Sequence, residues 1–353
     1  MTLSSTTETS SIDGRASRTS AGAAGLSQSL KKLFVKLGVL PFLVVVALIV
    51  FSFLSAGFLT LNNLTNVVRQ SVFLTIVSMG QMMVLLTGGF DLSVGTILAI
   101  SSVVGAMAMA ALAQVFPDSV YLVIALGCLA GLGAGIAVGI VNGVGVALLN
   151  VSPFIMTLGI ASTGFGIALS ITGGTPVYGM PTEFGDIFGF GTLLGIPTPI
   201  WGAAIVALLT WGIVNMTRYG RALYAVGGNP RAALLAGIDT RKTQFFVYVL
   251  CAFLASVAGV FLTARLDTGE ANIGSSMPLE SIAACVIAGV SLRGGVGKVG
   301  NVVLGALFIN LVQNGMNLAQ IDSYFQTVVI GLILIAAVVT DQLRLRYVAD
   351  LRG

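Results

Sequence analysis

The sequence predicts an all-α, polytopic membrane protein of about ten transmembrane helices. Three observations lead there. Hydrophobic residues make up 56% of the 353-residue chain and charged residues only 8%, against about 25% in an ordinary soluble domain. Too few charges remain to cover a water-soluble surface. Between Leu40 and Asp341 the apolar residues fall into ten stretches divided by short polar breaks. When the breaks are numbered alternately inside and outside, all but Arg69 and Arg265 of the 17 Lys and Arg fall inside. Asp118, Glu183, Asp186, Asp267, Glu270, Glu280 and Asp322 fall outside. Short Lys- and Arg-rich loops stay cytoplasmic during insertion, so this bias places both termini in the cytoplasm and makes the number of spans even.

The elements follow in order. Residues 1–36 are rich in Ser, Thr, Ala and Gly, end near Lys31, Lys32 and Lys36, and are expected to form a disordered cytoplasmic tail, since such composition buries little apolar surface. A single membrane domain is expected over 37–343, followed by a short cytoplasmic tail, 344–353. The first apolar stretch, Val39–Phe58, has the ~20 residues that cross a bilayer core and is too long for a signal-peptide core. The second and third spans, Val72–Leu86 and Leu92–Ala113, are divided by Gly88-Gly89-Phe90-Asp91. The fourth, Tyr121–Leu149, exceeds one straight crossing and is expected to tilt or break near its glycines. The fifth is Phe154–Ile171, and the outer stretch Thr172–Thr198, with Pro176, Pro181 and Pro197, leaves room for a short surface helix at most. Ile200–Met216, Phe245–Thr263, Ser281–Leu292, Val302–Leu318 and Phe325–Val339 complete the ten. Ser281–Leu292 is short and runs into Gly294, Gly295 and Gly297, which predicts a re-entrant or discontinuous helix near 281–297. Asn142-Gly143 followed by Gly159 recurs as Asn314-Gly315 followed by Gly331. Because the fourth and ninth spans run in opposite directions, the recurrence fits an inverted repeat.

The largest inside loop, 217–243, predicts its own short helix. Asn229 suits the N-cap, Pro230 the first helical position and Gly237 a left-handed stop. A two-turn helix with exposed Leu234, Leu235 and Ile238 cannot bury its apolar side alone. It requires a cytoplasmic partner or rests on the bilayer surface.

Several function classes drop out. The chain has no His, which removes the usual general base and the commonest metal ligand. Cys128, Cys251 and Cys285 stand singly in apolar segments, so neither a metal site nor a disulfide framework is indicated. The net charge of +4 follows from the topological bias and does not form the clustered basic face that nucleic acid requires. A nucleotide-hydrolysing chain needs G-x-x-x-x-G-K-[ST], but Gly297-Lys298 has Leu292 in place of the first glycine and Val299 in place of the hydroxyl. No catalytic residues are expected.

Three motifs in order carry a resemblance. Gly88-Gly89-Phe90-Asp91-Leu92-Ser93-Val94-Gly95 resembles the signature of the ribose-type permeases of bacterial ABC importers. Arg218–Ile238 is similar to that family's cytoplasmic coupling loop, and Ser291-Leu292-Arg293-Gly294-Gly295-Val296-Gly297 to its late Ser-Leu-x-Gly-Gly-x-Gly stretch. The resemblance implies a non-enzymatic permease subunit in the bacterial inner membrane that passes a ribose- or xylose-like monosaccharide. It implies a second permease subunit and a cytoplasmic ATPase holding ATP and Mg, together with a periplasmic or lipid-anchored sugar-binding protein. By matching position, coupling to the ATPase falls on Asn229, Pro230, Arg231, Ala232, Leu234, Leu235, Gly237 and Ile238.

The polar groups within spans that can line a pathway are Ser78, Gln81, Asn142, Asn310, Gln313, Asn314 and Asn317. The last four share one helical face, which either glues helices together or lines a pore. Asp91 caps the third span or takes part in gating. The alternative function is an ion-coupled carrier, which usually holds a charged group at mid-membrane.

Overall fold

The computed structural model describes residues 40–350, with side chains described as far as Val339. The expected tail 1–36 lies outside the described residues. The helices are α1 (Leu40–Leu54), α2 (Leu61–Leu86), α3 (Val94–Val115), α4 (Val120–Gly143), α5 (Pro153–Thr172), α6 (Thr182–Gly185), α7 (Thr198–Met216), α8 (Arg218–Gly228), α9 (Pro230–Leu235), α10 (Thr240–Leu266), α11 (Met277–Ile287), α12 (Val299–Leu318) and α13 (Ser323–Asp350). Apart from the two-residue strands Thr192–Leu193 and Ile196–Pro197, paired antiparallel in the outer stretch, the regular structure is helical. Among the described residues, seven helices are long and apolar enough to cross a membrane, and Leu40–Leu54, Met277–Ile287 and Ser323–Val339 are shorter apolar helices. The chain is an all-α polytopic membrane protein.

Boundaries move where capping outweighs hydropathy. The second span begins at Leu61 rather than Val72, because Thr60 caps α2 by accepting from the Asn63 N–H. Its first turns carry Asn62, Asn63, Asn66, Arg69 and Gln70, which hid them from an apolar reading. The last span continues as helix to Asp350. The outer stretch folds as α6 followed by the π-helical turn Asp186–Phe190.

The fourth span does not break. Helix α4 runs on into the π-helical turn Val144–Leu148. Its glycines serve packing instead: Gly127, Gly131, Gly135 and Gly139 recur every four residues and are buried. A Cβ on Gly131 would strike the Ser101 carbonyl of α3, and one on Gly135 the Ser256 hydroxyl of α10. Without Cβ atoms the backbones approach closely, and this replaces a hydrophobic drive that lipid cannot supply. Helix α2 lies at the centre, with 83% of its most apolar window buried against 17% for α5.

The predicted discontinuity sits before α11 as well as after it. Residues 267–276 leave the end of α10 and descend along α3 without becoming helical. Gly269 abuts Ala106, Gly274 abuts Leu98, and a Cβ on Gly95 would meet the Gly274 carbonyl. From Ala106 to Gly95 is eleven residues of α3, or about 16 Å. Helix α11 therefore starts well inside the membrane layer. Such backbone is tolerated where protein or a cavity surrounds it. The two halves of the sequence echo have matching surroundings. Asn142 and Asn314 both hydrogen-bond across helices, and Gly143 and Gly315 each lie against a ring, Phe245 and Phe51. Gly159 and Gly331 both face open space.

Candidate functional site

Helix α2 ends at Leu86, and the chain turns through Gly88 at φ +78°. The segment after α11 turns through Gly294 and Gly295 at φ +91° and +74°, values that only glycine adopts without strain. The Gly295 N–H donates to the Leu86 carbonyl at 2.9 Å, joining the two turns. Helix α8 closes the group from the coupling loop. A Cβ on Gly227 would overlap the Leu86 carbonyl oxygen and come within 2.5 Å of the Gly295 nitrogen. A Cβ on Gly294 would lie 2.9 Å from both the Gly227 Cα and the Gly88 nitrogen. Tyr224 donates its hydroxyl to the Gly297 carbonyl at 2.8 Å, and Tyr219 donates to Thr243 at 3.1 Å. Burial pushes both phenols above the usual tyrosine range, so both remain donors. The three segments singled out as motifs thus meet backbone to backbone. Sequence reading found the segments but not their contact, and it did not anticipate α8 as a helix.

Helix α9 has the expected caps. The Asn229 side chain accepts from the Ala232 N–H at 3.0 Å, Pro230 opens the helix, and Gly237 has φ +81°. Gly237 donates to Leu234 and Ile238 to Ala233, each at 3.0 Å, the paired bonds of a Schellman stop. Leu234 is 62% and Leu235 90% exposed, while Pro230, Arg231, Ala232 and Gly237 are exposed beside them. Ile238, expected to be exposed, is half-buried, because the stop folds it back over Ala233.

Asp91 is fully buried. Its Oδ1 accepts from the Ser93 N–H at 2.9 Å and the Ser93 hydroxyl at 2.6 Å. It therefore stands two residues ahead of the cap position of α3, which Ser93 occupies without a side-chain capping bond. The expected N-cap is instead a local turn, tied to α4 because Asn142 donates to the Ser93 hydroxyl at 2.7 Å. The Leu92 N–H donates to Thr157 Oγ1 of α5 at 3.1 Å, and Tyr248 of α10 donates to the Phe90 carbonyl at 3.3 Å. Three helices thus pin this loop. The Cys251 thiol of α10 also faces the Asp91 carboxylate, and Asn142 Oδ1 has no hydrogen-bond partner.

The polar face of α12 is largely occupied. Gln313 donates to Glu280 of α11 at 3.0 Å, Asn314 and Asn63 bond reciprocally, and Asn317 accepts from Gln326 of α13 at 2.8 Å. Asn310 bonds back to the Ala306 carbonyl of its own helix. Ser78 and Gln81 are fully buried, with the Ser78 hydroxyl and both ends of the Gln81 amide unpartnered. A cleft of about 290 Å³ opens elsewhere, between the start of α3, the middle of α5 and the descending segment. Thr96, Ser162, Phe165, Ser275 and Pro278 line it. Sequence reading missed this cleft, since nothing local brings 92–96, 161–165 and 271–278 together. No group of three His, Cys, Asp or Glu that could hold a metal occurs among the described residues.

Residues 63–338 match the family described as "Branched-chain amino acid transport system / permease component". The chain is 39% identical over 302 residues to the ribose import permease protein RbsC of Escherichia coli K12, covering 85% of this chain and 91% of that one. It is 38% identical to the D-allose transport system permease protein AlsC of the same organism, over 86% of this chain and 90% of that one. It is 37% identical to RbsC of Bacillus subtilis 168, over 87% and 92%. No solved structure matches the chain. The match over residues 63–338 and these relatives lead to one conclusion: the chain belongs to the branched-chain amino acid transport system permease component family of membrane permeases.

Proposed function

We propose that this chain is the permease subunit of an ABC importer, passing a monosaccharide of the ribose, allose or galactose class into the cytoplasm. Two copies, or this chain and a related one, would form the pathway in the bacterial inner membrane with both termini cytoplasmic. A separate cytoplasmic ATPase would hold ATP and Mg, and a periplasmic or lipid-anchored sugar-binding protein would deliver the substrate. One observation carries the proposal: the coupling loop presents uncovered Leu234 and Leu235 on a capped helix, while its other half packs on both inner glycine turns. A push on α9 from an ATPase would then reach α2, α3, α11 and α12 through close backbone contacts. The names of the relatives supply the sugar class.

The cleft at Thr96, Ser162, Phe165 and Ser275 is the part of the pathway best suited to a sugar. It offers hydroxyls and an aromatic ring at a size near the lower end of ligand pockets, about 300 Å³. Gln81, Asn142 and the α12 amides would then join the pathway only in a state that parts the helices now covering them. The test is uptake of labelled ribose, allose and galactose into proteoliposomes holding the permease, its ATPase and its binding protein. ATP-dependent uptake that survives ionophores is expected. Uptake without the ATPase, abolished by ionophores, would make the chain an ion-coupled carrier instead.

A further inference from the structure

Arg69 and Arg265 are the two basic residues placed outside by the charge bias, far apart in sequence, and the fold brings them together. On α2, Gly80 packs against Cys251 of α10, with its Cβ position 3.0 Å from the Cys251 Cα. The two helices run antiparallel. Arg69 lies eleven residues before Gly80 and Leu262 eleven after Cys251, so Arg69 stands level with the last turn of α10, which holds Arg265. The two guanidinium groups are near enough for their charges to repel. Arg69 Nε and Arg265 Nη1 are enclosed by protein and have no hydrogen-bond partner. Carboxylates are available nearby in sequence and are not used. Glu270 is bonded by Thr268, and the ion pair found among the described residues is Lys242–Asp239, on the coupling loop. The π-helical turn Asp186–Phe190 packs Gly189 against the Arg265 backbone without pairing Asp186 to it.

Two neighbouring arginines, each with an enclosed N–H that lacks a partner, supply donors suited to an oxyanion, since the guanidinium fork matches phosphate and carboxylate geometry. Depth and surroundings select the occupant. Arg265 is one residue from the end of α10, whereas two further turns of α2 rise beyond Arg69. An anion must therefore enter sideways, at the level where spanning helices meet the headgroups. Val68 and Leu266, next to the two arginines, are 40% and 47% exposed, as residues touching acyl chains would be. We infer that Arg69 and Arg265 bind the phosphate of an outer-leaflet phospholipid wedged between α2 and α10. The placement in the outer leaflet rests on the orientation proposed above; a reversed topology would move the site to the other leaflet without abolishing it.

The test uses the full chain co-purified with its ATPase, washed in detergent and titrated with phosphatidylglycerol under native mass spectrometry. Wild type should retain phospholipid, and Arg69→Gln or Arg265→Gln should reduce retention at least tenfold. Arg69→Lys should recover part of it, because a point charge still attracts phosphate. Lys298→Gln, at an exposed position just before α12, should match wild type. Retention unchanged in the double Gln variant would overturn the site. Two further outcomes would overturn the lipid as occupant: inorganic phosphate displacing phospholipid completely at millimolar concentration, or weaker capture of the sugar-binding protein by the Gln variants with lipid retention intact. ATP-driven uptake is measured separately, so failure of the transport proposal and failure of the lipid site are read from different signals.

Discussion

Replacing Gly227 by alanine adds one methyl group at the place where three loops touch. That methyl would overlap the Leu86 carbonyl oxygen and sit 2.5 Å from the Gly295 nitrogen, two atoms already joined by a 2.9 Å hydrogen bond. Both are backbone atoms, so no side chain can rotate away and α8 itself must move. Overpacking a closed contact costs about 1–3 kcal/mol. Loss of the Gly295–Leu86 hydrogen bond adds about 0.5–1.5 kcal/mol, for a sum of about 1.5–4.5 kcal/mol. Relief requires α8 to lift from the inner turns, which would uncouple the loop from α2 and α12. The neighbouring residue supplies the control, because a Cβ on Gly228 meets nothing within 4 Å. Gly228→Ala should be neutral or slightly stabilising, as alanine favours helix. The assay is thermal unfolding of the detergent-purified complex alongside sugar-stimulated ATP hydrolysis. Gly227→Ala should melt earlier and hydrolyse ATP with little transport. Equal stability and equal coupling in the two variants would refute the proposed transmission path.

Three further outcomes are expected. Leu235→Glu leaves the fold intact because Leu235 is 90% exposed, yet an unpaired charge buried against an ATPase costs several kcal/mol; it should insert normally and fail to co-purify with the ATPase, and unaltered co-purification and transport would remove α9 from the coupling role. Asp91→Asn keeps an oxygen for the Ser93 N–H and should retain uptake, whereas Asp91→Ala strips both bonds inside the protein and should lose about 1–3 kcal/mol; a well-folded Asp91→Asn variant without uptake would show that the charge itself acts. Reporter fusions at Gly353 and within 218–242 should read cytoplasmic and those at 182–195 external, with a cytoplasmic signal from 182–195 contradicting the ten-span arrangement.

Composition and the series of apolar stretches were enough to read a polytopic helical membrane protein, because lipid permits few backbone solutions. Caps were equally legible: Asn229, Pro230 and Gly237 act within their own turn, and α9 formed where those residues put it. Elsewhere distant partners decided. The glycines of α4 are a packing stripe because Ser101 and Ser256 approach them, which no local pattern records. The polar residues opening α2 hid a helix start that Thr60 capping and the Asn63–Asn314 pair stabilise. Asp91 read as a helix cap or a gating residue, and Ser93 and Asn142 make it the buried end of a chain linking α3 to α4. By itself the sequence marked a series of apolar segments and the three stretches that carry the motifs. Only the tertiary structure decided that Leu86, Gly227 and Gly295 touch, and that Arg69 stands beside Arg265, since contacts between residues so far apart in sequence depend on helix register rather than on any local period.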